Sequence, residues 1–185
     1  MNRMTQFGEI QISNLFGGYQ LIDATAEKMP TELSSALGVV FANRPETVIP
    51  VYYFGKQIVN GTNHMLVCRR IREIDNSKKI DYVRIEIYIP MGADGYKRAE
   101  LKTMEVSSET MYLPEIKRIF EEGTKYLIGV SYKAMLYVGA QLVKGMDYHF
   151  ICETEMVRPG SEPYLTRVIL NEYEGKITIA GIDVI

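Results

Sequence analysis

The sequence of 185 residues has no tryptophan, only two cysteines and only two histidines. It also lacks any run of about 18 apolar residues, the length that an α-helix needs to cross a bilayer. Its net charge is −2, so it has no excess of basic side chains with which to hold nucleic acid or an anionic membrane. Residues 1–12 lack the apolar core of a signal peptide. We therefore predict a cytoplasmic protein with no nucleic-acid partner and no membrane partner.

The scarcity of histidine and cysteine also limits the chemistry of the chain. His64 and Cys68 could be read as a base and a thiol, but four residues of a strand span about 13 Å, far beyond hydrogen-bond reach. No cluster of cysteine, histidine and carboxylate residues has the spacing of a zinc site. We predict no catalytic residue, no metal and no cofactor, and hence no enzyme. Cys68 and Cys152 are predicted to be reduced core residues.

A repeated segment is the main positive feature of the chain. Gln57-Ile58-Val59-Asn60-Gly61 returns later in the sequence as Gln141-Leu142-Val143-Lys144-Gly145. The interval from Gln57 to Gln141 also separates four further pairs of identical residues: Pro30 and Pro114, Tyr53 and Tyr137, Gly55 and Gly139, and Cys68 and Cys152. One constant interval without a gap indicates an internal duplication. We predict a first unit with an N-terminal arm over residues 1–107 and a second unit over residues 108–185.

Each unit is predicted to contain one helix followed by antiparallel strands. Pro30 and Pro114 suit the first helical position, and an apolar stripe with helical spacing follows each of them. The stripe residues are Leu33, Ala36, Leu37, Val40 and Phe41 in the first unit, and Ile116, Ile119, Phe120, Gly123 and Leu127 in the second. Predicted strands cover residues 51–56, 62–69, 81–89, 100–106, 134–140, 146–153, 164–170 and 176–182. This order predicts an α+β fold in which each helix packs on one face of an antiparallel sheet.

Two further local features are predicted, one after the first helix in the sequence and one before it. Asn60-Gly61 separates two strand-like runs and predicts a hairpin with a type I′ turn, in which both central residues have positive φ. Residues 1–15 read as an arm or an edge strand, and Gly17-Gly18 follows them as a flexible segment that can lie close against another surface.

The segment from Gln57 to Gly61, followed by Thr62-Asn63, resembles the Gln-x-Val-x-Gly hairpin of the cystatins. Gly17 and Gly18 precede the helix, where cystatins carry an N-terminal glycine. The order of helix, hairpin and two further strands is also similar to that of a cystatin, and the resemblance covers most of the chain twice. It implies two tandem cystatin-like units, each with one helix packed on an antiparallel sheet.

In cystatins the N-terminal glycine segment, this hairpin and a second hairpin with Pro-Trp plug the cleft of papain-like cysteine proteases without covalent chemistry. The resemblance therefore implies a protein-binding module that reversibly inhibits a cysteine protease. The protein-binding residues that it implies are Gly17, Gly18, Gln57, Ile58, Val59, Asn60 and Gly61 in the first unit, and Gln141, Val143 and Gly145 in the second.

The chain departs from the cystatin pattern at several positions. Because it has no tryptophan, the Pro-Trp hairpin is absent, and the turn at residues 91–96 is its nearest substitute, with Tyr96 as the aromatic residue. The second unit has no glycine pair before Pro114 and has Met146-Asp147 in place of Thr-Asn, so the first unit is the better candidate for inhibition. Two alternatives stay open. One is a non-inhibitory binding or structural protein with the same fold, and the other is a latexin-like inhibitor of a metallocarboxypeptidase that uses the groove between its two units.

The strand faces also predict a covering partner. Met65 and Val67 alternate with Cys68, and His149 and Ile151 alternate with Cys152, so these four residues fall on the face opposite the cysteine. Apolar groups on that face predict coverage by the other unit or by a partner chain. A homodimer is one such arrangement.

Overall fold

The computed structural model describes residues 18–106, 111 and 113–185. The described part of the chain divides into two compact units, one that ends before residue 107 and one that begins after residue 108. The described residues form two antiparallel sheets and two α-helices, and most of them lie in strands. The predicted α+β class is confirmed at this level. The predicted arm at residues 1–15 lies outside the described residues.

The first unit is a five-stranded sheet with one α-helix. Strand β1 (Gln20–Thr25) leads through a 3-10 turn (Ala26–Lys28) into helix α1 (Thr31–Phe41). Four strands follow: β2 (Thr47–Val59), β3 (Gly61–Ile74), β4 (Ser77–Ile89) and β5 (Glu100–Val106), with a second 3-10 turn (Gly95–Arg98) before β5. The strands lie side by side in chain order, and each neighbouring pair is antiparallel.

The second unit is a four-stranded sheet with one α-helix. Helix α2 (Pro114–Thr124) begins with the proline at its first turn. It is followed by four antiparallel strands in chain order: β6 (Val130–Val143), β7 (Gly145–Met156), β8 (Tyr164–Tyr173) and β9 (Lys176–Val184).

Each helix buries its apolar stripe against one face of its own sheet. In the first unit the buried cluster comprises Leu33, Ala36 and Leu37 of α1 and the sheet residues Tyr53, Leu66, Cys68, Val83, Ile85, Ile87 and Ile89. In the second unit it comprises Ile116, Ile119 and Phe120 of α2 and Tyr137, Ala140, Tyr148, Phe150, Cys152, Val168 and Leu170. Both cysteine thiols are free and buried, so their predicted place in the cores is confirmed. The prediction for Leu127 is wrong, because α2 ends at Thr124.

The first long strand of each sheet carries two β-bulges. The bulges flank a tyrosine that faces the core, Tyr53 in β2 and Tyr137 in β6. The register shifts occur at Pro50/Tyr52 and Tyr53/Gly55 in β2, and at Ala134/Leu136 and Tyr137/Gly139 in β6. A bulge bends its strand and increases its twist. The two strands therefore bend at equivalent positions of the sequence repeat.

Strand β1 was not predicted from the sequence. Its pairing with β2 shifts between Leu21 and Ala24, and Asp23 has a φ of 57°, so the alternation that marks a strand is interrupted. The Tyr52 hydroxyl donates a hydrogen bond of 2.6 Å to the Asp23 carboxylate. This contact ties the irregular edge strand to its neighbour.

Strands β3 and β4 extend further from the core than predicted. Asp75 and Asn76 join them, with φ of 51° and 59°, and positive φ at both central residues is what a type I′ turn requires. Charged residues obscure the alternation in this extension. Arg70 and Arg72 contact the Asp81 carboxylate at 2.6 and 2.8 Å, respectively, and so link the two strands.

The sheet faces opposite the helices carry buried apolar residues together with polar ones such as His149, Arg84 and Arg167. Met65 and Val67 are 6% and 0% exposed, and His149 and Ile151 are 3% and 0% exposed. Coverage of this face by the other unit or by a partner chain, a homodimer included, stays a prediction.

The two helix glycines predict opposite responses to alanine. A methyl group at Gly38 would have no heavy atom within 4 Å, whereas one at Gly123 would lie 2.6 Å from Leu170 Cδ1. We expect Gly38→Ala to stabilise the protein by roughly 0.5–1 kcal/mol, because glycine costs that much in a helix. We expect Gly123→Ala to destabilise it by about 1–3 kcal/mol through overpacking. Chemical denaturation monitored by circular dichroism measures both changes, and shifts of the same sign would contradict the packing difference.

Candidate protein-binding edge

The first hairpin connects β2 to β3 at one end of the sheet. Strand β2 ends at Val59 and β3 begins at Gly61, which pairs with Val59, so the hairpin has Asn60 alone as its connection. The positive φ of the hairpin falls on Gly61, at 125°, and Asn60 is not among the residues with positive φ. The predicted type I′ turn at Asn60-Gly61 is therefore wrong.

Gly61 is required by a close approach to the neighbouring strand as well as by its φ. A methyl group on Gly61 would lie 2.5 Å from the Ile89 carbonyl oxygen and 2.6 Å from the Tyr88 ring. Any larger residue would thus collide with the end of β4. The glycine of the motif has a complete structural explanation, and this explanation is independent of binding.

Hydrogen bonds hold the hairpin tip in one conformation. The Tyr88 hydroxyl donates to the Asn60 carbonyl oxygen at the apex. The Asn63 side-chain amide donates to Gln57 Oε1 at 3.1 Å, across the base of the tip. Because the polar groups of the tip are bonded within the unit, the turn is preorganised and little conformational entropy remains to be lost on binding.

The apolar residues of the tip point away from the core. Ile58 is 77% exposed and Val59 is 46% exposed. Both side chains therefore extend into solvent from a preorganised turn. Contiguous exposed apolar groups are typical of surfaces that bind a partner.

Gly18 lies next to this hairpin. It has a φ of 73°, and a methyl group there would lie 2.8 Å from the Gln57 side-chain nitrogen. Gln20, which follows it closely, pairs with Lys56, so the chain enters the sheet beside the hairpin. The structure thus brings Gly18 together with residues 57–61. Gly17 lies outside the described residues.

The loop between β4 and β5 leaves the sheet at the same end. Ile89 at the end of β4 pairs with Thr62, directly beside the hairpin, and Met91 follows with a 70% exposed side chain. The prediction that Tyr96 supplies the aromatic group at this edge is wrong, because Tyr96 packs partly buried against the core of the first unit. We call Gly18, residues 57–61 and Met91 the first edge. Sequence analysis placed the turn at residues 91–96 in the role of the second cystatin hairpin but did not single out Met91, since a single methionine in a turn carries no pattern.

The second hairpin has a similar local geometry. Leu142 pairs with Met146, Gly145 has a φ of 93°, and a side chain on Gly145 would collide with the Glu172 carbonyl oxygen. The Asn171 side-chain amide donates to the apex carbonyl of Lys144 at 3.3 Å. Gln141 is half-buried, and Leu142 and Val143 are 75% and 43% exposed. Leu142 was not among the predicted binding residues, although it occupies the position of Ile58 in the repeat.

The titratable groups beneath the first hairpin are poorly suited to catalysis. The Tyr53 hydroxyl and His64 Nδ1 lie 2.8 Å apart in the core, and burial lowers the pKa of His64 to about 4 and raises the pKa of Tyr53 to about 12. Burial also raises the pKa of the Cys68 thiol well above its usual value. Inside the core the imidazole is therefore neutral and the thiol protonated near neutral pH.

Neither a metal site nor a membrane-spanning helix is found among the described residues. Within them, no three histidine, cysteine or carboxylate side chains gather in a way that could hold a metal ion. In the same part of the chain, no helix is long and apolar enough to cross a membrane.

Comparison with known proteins finds no protein-family model that matches this chain and no curated protein that matches it significantly.

The buried His64 predicts an acid-sensitive hairpin. Because its pKa falls from 6.5 to about 4 on folding, the unfolded chain takes up the proton first. The stabilising contribution is complete above pH 6.5 and is lost as the pH falls towards 4. In His64→Gln, a non-titrating amide can still accept the Tyr53 hydrogen bond. We expect the free energy of unfolding of this variant to decrease less steeply than that of the unmodified protein as the pH falls. The difference between the two slopes is expected to reach about 1.4 kcal/mol per pH unit.

Urea unfolding of both proteins at several pH values between 7.5 and 4.5 measures this difference. The two slopes should agree above pH 7, which serves as the internal control. Parallel slopes down to pH 4.5 would show that His64 takes no part in the acid response.

Proposed function

We propose that this chain is a reversible, non-covalent inhibitor of a papain-like cysteine protease and that it acts through the first edge. The observation that carries the proposal is the exposed apolar pair Ile58 and Val59 on a turn fixed by hydrogen bonds, with Gly18 beside it. Such a turn fills an elongated cleft at low entropic cost. Gly18 has no side chain, so a protein surface can approach its backbone closely.

We further propose that the two units are cystatin-like and arose by duplication. In the first unit, β1, α1 and four consecutive antiparallel strands support the cystatin-like assignment. The equivalent bulges of β2 and β6 support the duplication. So does a matched pair of cross-strand ion contacts, Arg84–Glu105 at 2.5 Å and Arg167–Asp183 at 2.6 Å. Each contact joins the last two strands of its unit.

A second candidate function is non-inhibitory protein binding by the same fold. Two observations favour it. The close approach of the Ile89 carbonyl oxygen explains why residue 61 is a glycine, and this explanation needs no binding partner. Tyr96 packs partly buried against the core and does not extend from the edge. The edge would then bind a partner with an apolar groove that is not a protease cleft.

Val59→Asp is expected to weaken papain inhibition by about thirtyfold or more. A carboxylate at this position would be buried in the cleft without a partner, and the loss of a central contact in an interface costs about 2 kcal/mol or more. Val59 is 46% exposed in the free protein, so the substitution leaves the core intact. The inhibition constant is measured by titrating papain activity with each variant.

Ile80→Asp is the matched control. Ile80 is also β-branched and is 58% exposed, but it lies at the opposite end of β4, near the Asp75-Asn76 turn, so inhibition should be retained. Val143→Asp measures the contribution of the second hairpin, and we expect it to be the smaller one. An unmodified protein that fails to inhibit papain at high micromolar concentration would rule out the papain-like target and favour the second candidate.

A further inference from the structure

The most exposed methionine among the described residues belongs to the first edge. Met91 is 70% exposed, and Met156, at the end of β7, is 40% exposed. The other described methionines are half-buried or buried, and Met65 is only 6% exposed. The most exposed thioether among the described residues therefore lies beside the exposed Ile58 and Val59 of the hairpin.

The loop that carries Met91 is tightly anchored. An Arg98 guanidinium nitrogen donates to the Met91 carbonyl oxygen at 3.1 Å, and the Gly95 amide donates to the Gly92 carbonyl oxygen at 3.0 Å. Gly95 is buried against the Pro90 carbonyl oxygen, and Tyr96 packs on the core. Met91 therefore extends from a loop fixed on both sides. Its exposure is a property of the folded loop.

From this placement we propose that Met91 is an oxidation site that controls binding at the first edge. The oxidant is a peroxide. The thioether sulfur attacks one peroxide oxygen, the O–O bond breaks, an S–O bond forms, and the second oxygen leaves as water with both protons. Sulfur is oxidised by two electrons and the peroxide is reduced. Methionine sulfoxide is polar, and reductases can return it to methionine.

The sulfoxide weakens binding because it changes what must be desolvated. The thioether enters an apolar pocket at little cost and adapts to its shape. A sulfoxide oxygen in the same pocket loses its hydration without gaining a hydrogen-bond donor. This effect on binding rests on the proposed function, whereas the oxidation of Met91 does not.

Peptide mapping by mass spectrometry tests the modification directly. The full chain is treated with hydrogen peroxide, and the sulfoxide content of the peptides is followed over time. We expect Met91 to be oxidised well before the buried Met65. A Met91 that is oxidised no faster than Met65 would overturn the proposed site, whether or not papain binds.

Papain titrations before and after treatment, with the peroxide removed by catalase, test the control of binding. Within each variant, the ratio of the two affinities is compared. The unmodified chain and Met156→Leu should lose about tenfold in affinity after oxidation, and Met91→Leu should lose none. Two results would overturn the control of binding by Met91. One is an equal loss of affinity in Met91→Leu, and the other is complete oxidation of Met91 with no loss of affinity in the unmodified chain. Absence of papain binding before oxidation would instead refute the proposed function, and the mapping would still decide the modification.

Discussion

The structure of each unit depends on the burial of one helix against one face of a sheet whose first long strand is bulged. Without its two bulges, β2 would keep a strict alternation, and Tyr53 would point to the same side as Ile49 and Val51. The bulges reverse the alternation for a short stretch and then restore it. Tyr53 thereby enters the core, where it meets His64, and the outer part of β2 regains the register that forms the hairpin. Tyr137 occupies the same place in β6.

The hairpin is positioned by the end of the next strand. Ile89 passes so close to Gly61 that no side chain fits between them, and Tyr88 bonds the apex carbonyl. The polar groups of the turn are therefore bonded inside the unit, and its apolar groups are left outside. This division gives the first edge its character, a fixed ridge with Ile58 and Val59 exposed.

The two hairpins differ in their surroundings more than in their geometry. Gly18 lies against Gln57 at the first hairpin, and the longer loop with Met91 follows β4 there. At the second hairpin, β8 turns directly into β9 through Glu174 and Gly175, with φ of 51° and 75°. Lys144 lies over the Tyr173 ring at 5.1 Å. At the first hairpin the corresponding cation comes from another strand, since Lys102 of β5 lies over the Tyr88 ring at 5.0 Å.

Sequence reasoning was most successful where a period could be counted. The helix stripes, the strands that alternate and the α+β class follow from positions such as Leu33, Leu37, Ile85 and Ile87, because a helix and a strand repeat at different periods. It failed where the period is broken. Strand β1 contains a bulge, and the extension of β3 and β4 is rich in charge. The prediction of a type I′ turn at Asn60-Gly61 was also wrong. In the second hairpin the residue equivalent to Asn60 is Lys144, which disfavours positive φ. The repeat thus indicated that the apex residue does not need a positive φ.

By itself the sequence determined the local structure: one helix that follows Pro30 as its N-cap and one that begins with Pro114, paired strands, and a repeated hairpin with a glycine at its last position. Only the tertiary structure decided which residues form the edge. Gly18 is distant from Gln57 in the sequence, as Met91 is from Val59, and strand pairing brings them to the same end of the sheet. Exposure was decided in the same way, since Met91 and Tyr96 belong to one loop and only the packing of that loop makes the first exposed and the second half-buried. Local propensity depends on neighbours in the chain, whereas a binding surface depends on neighbours in space.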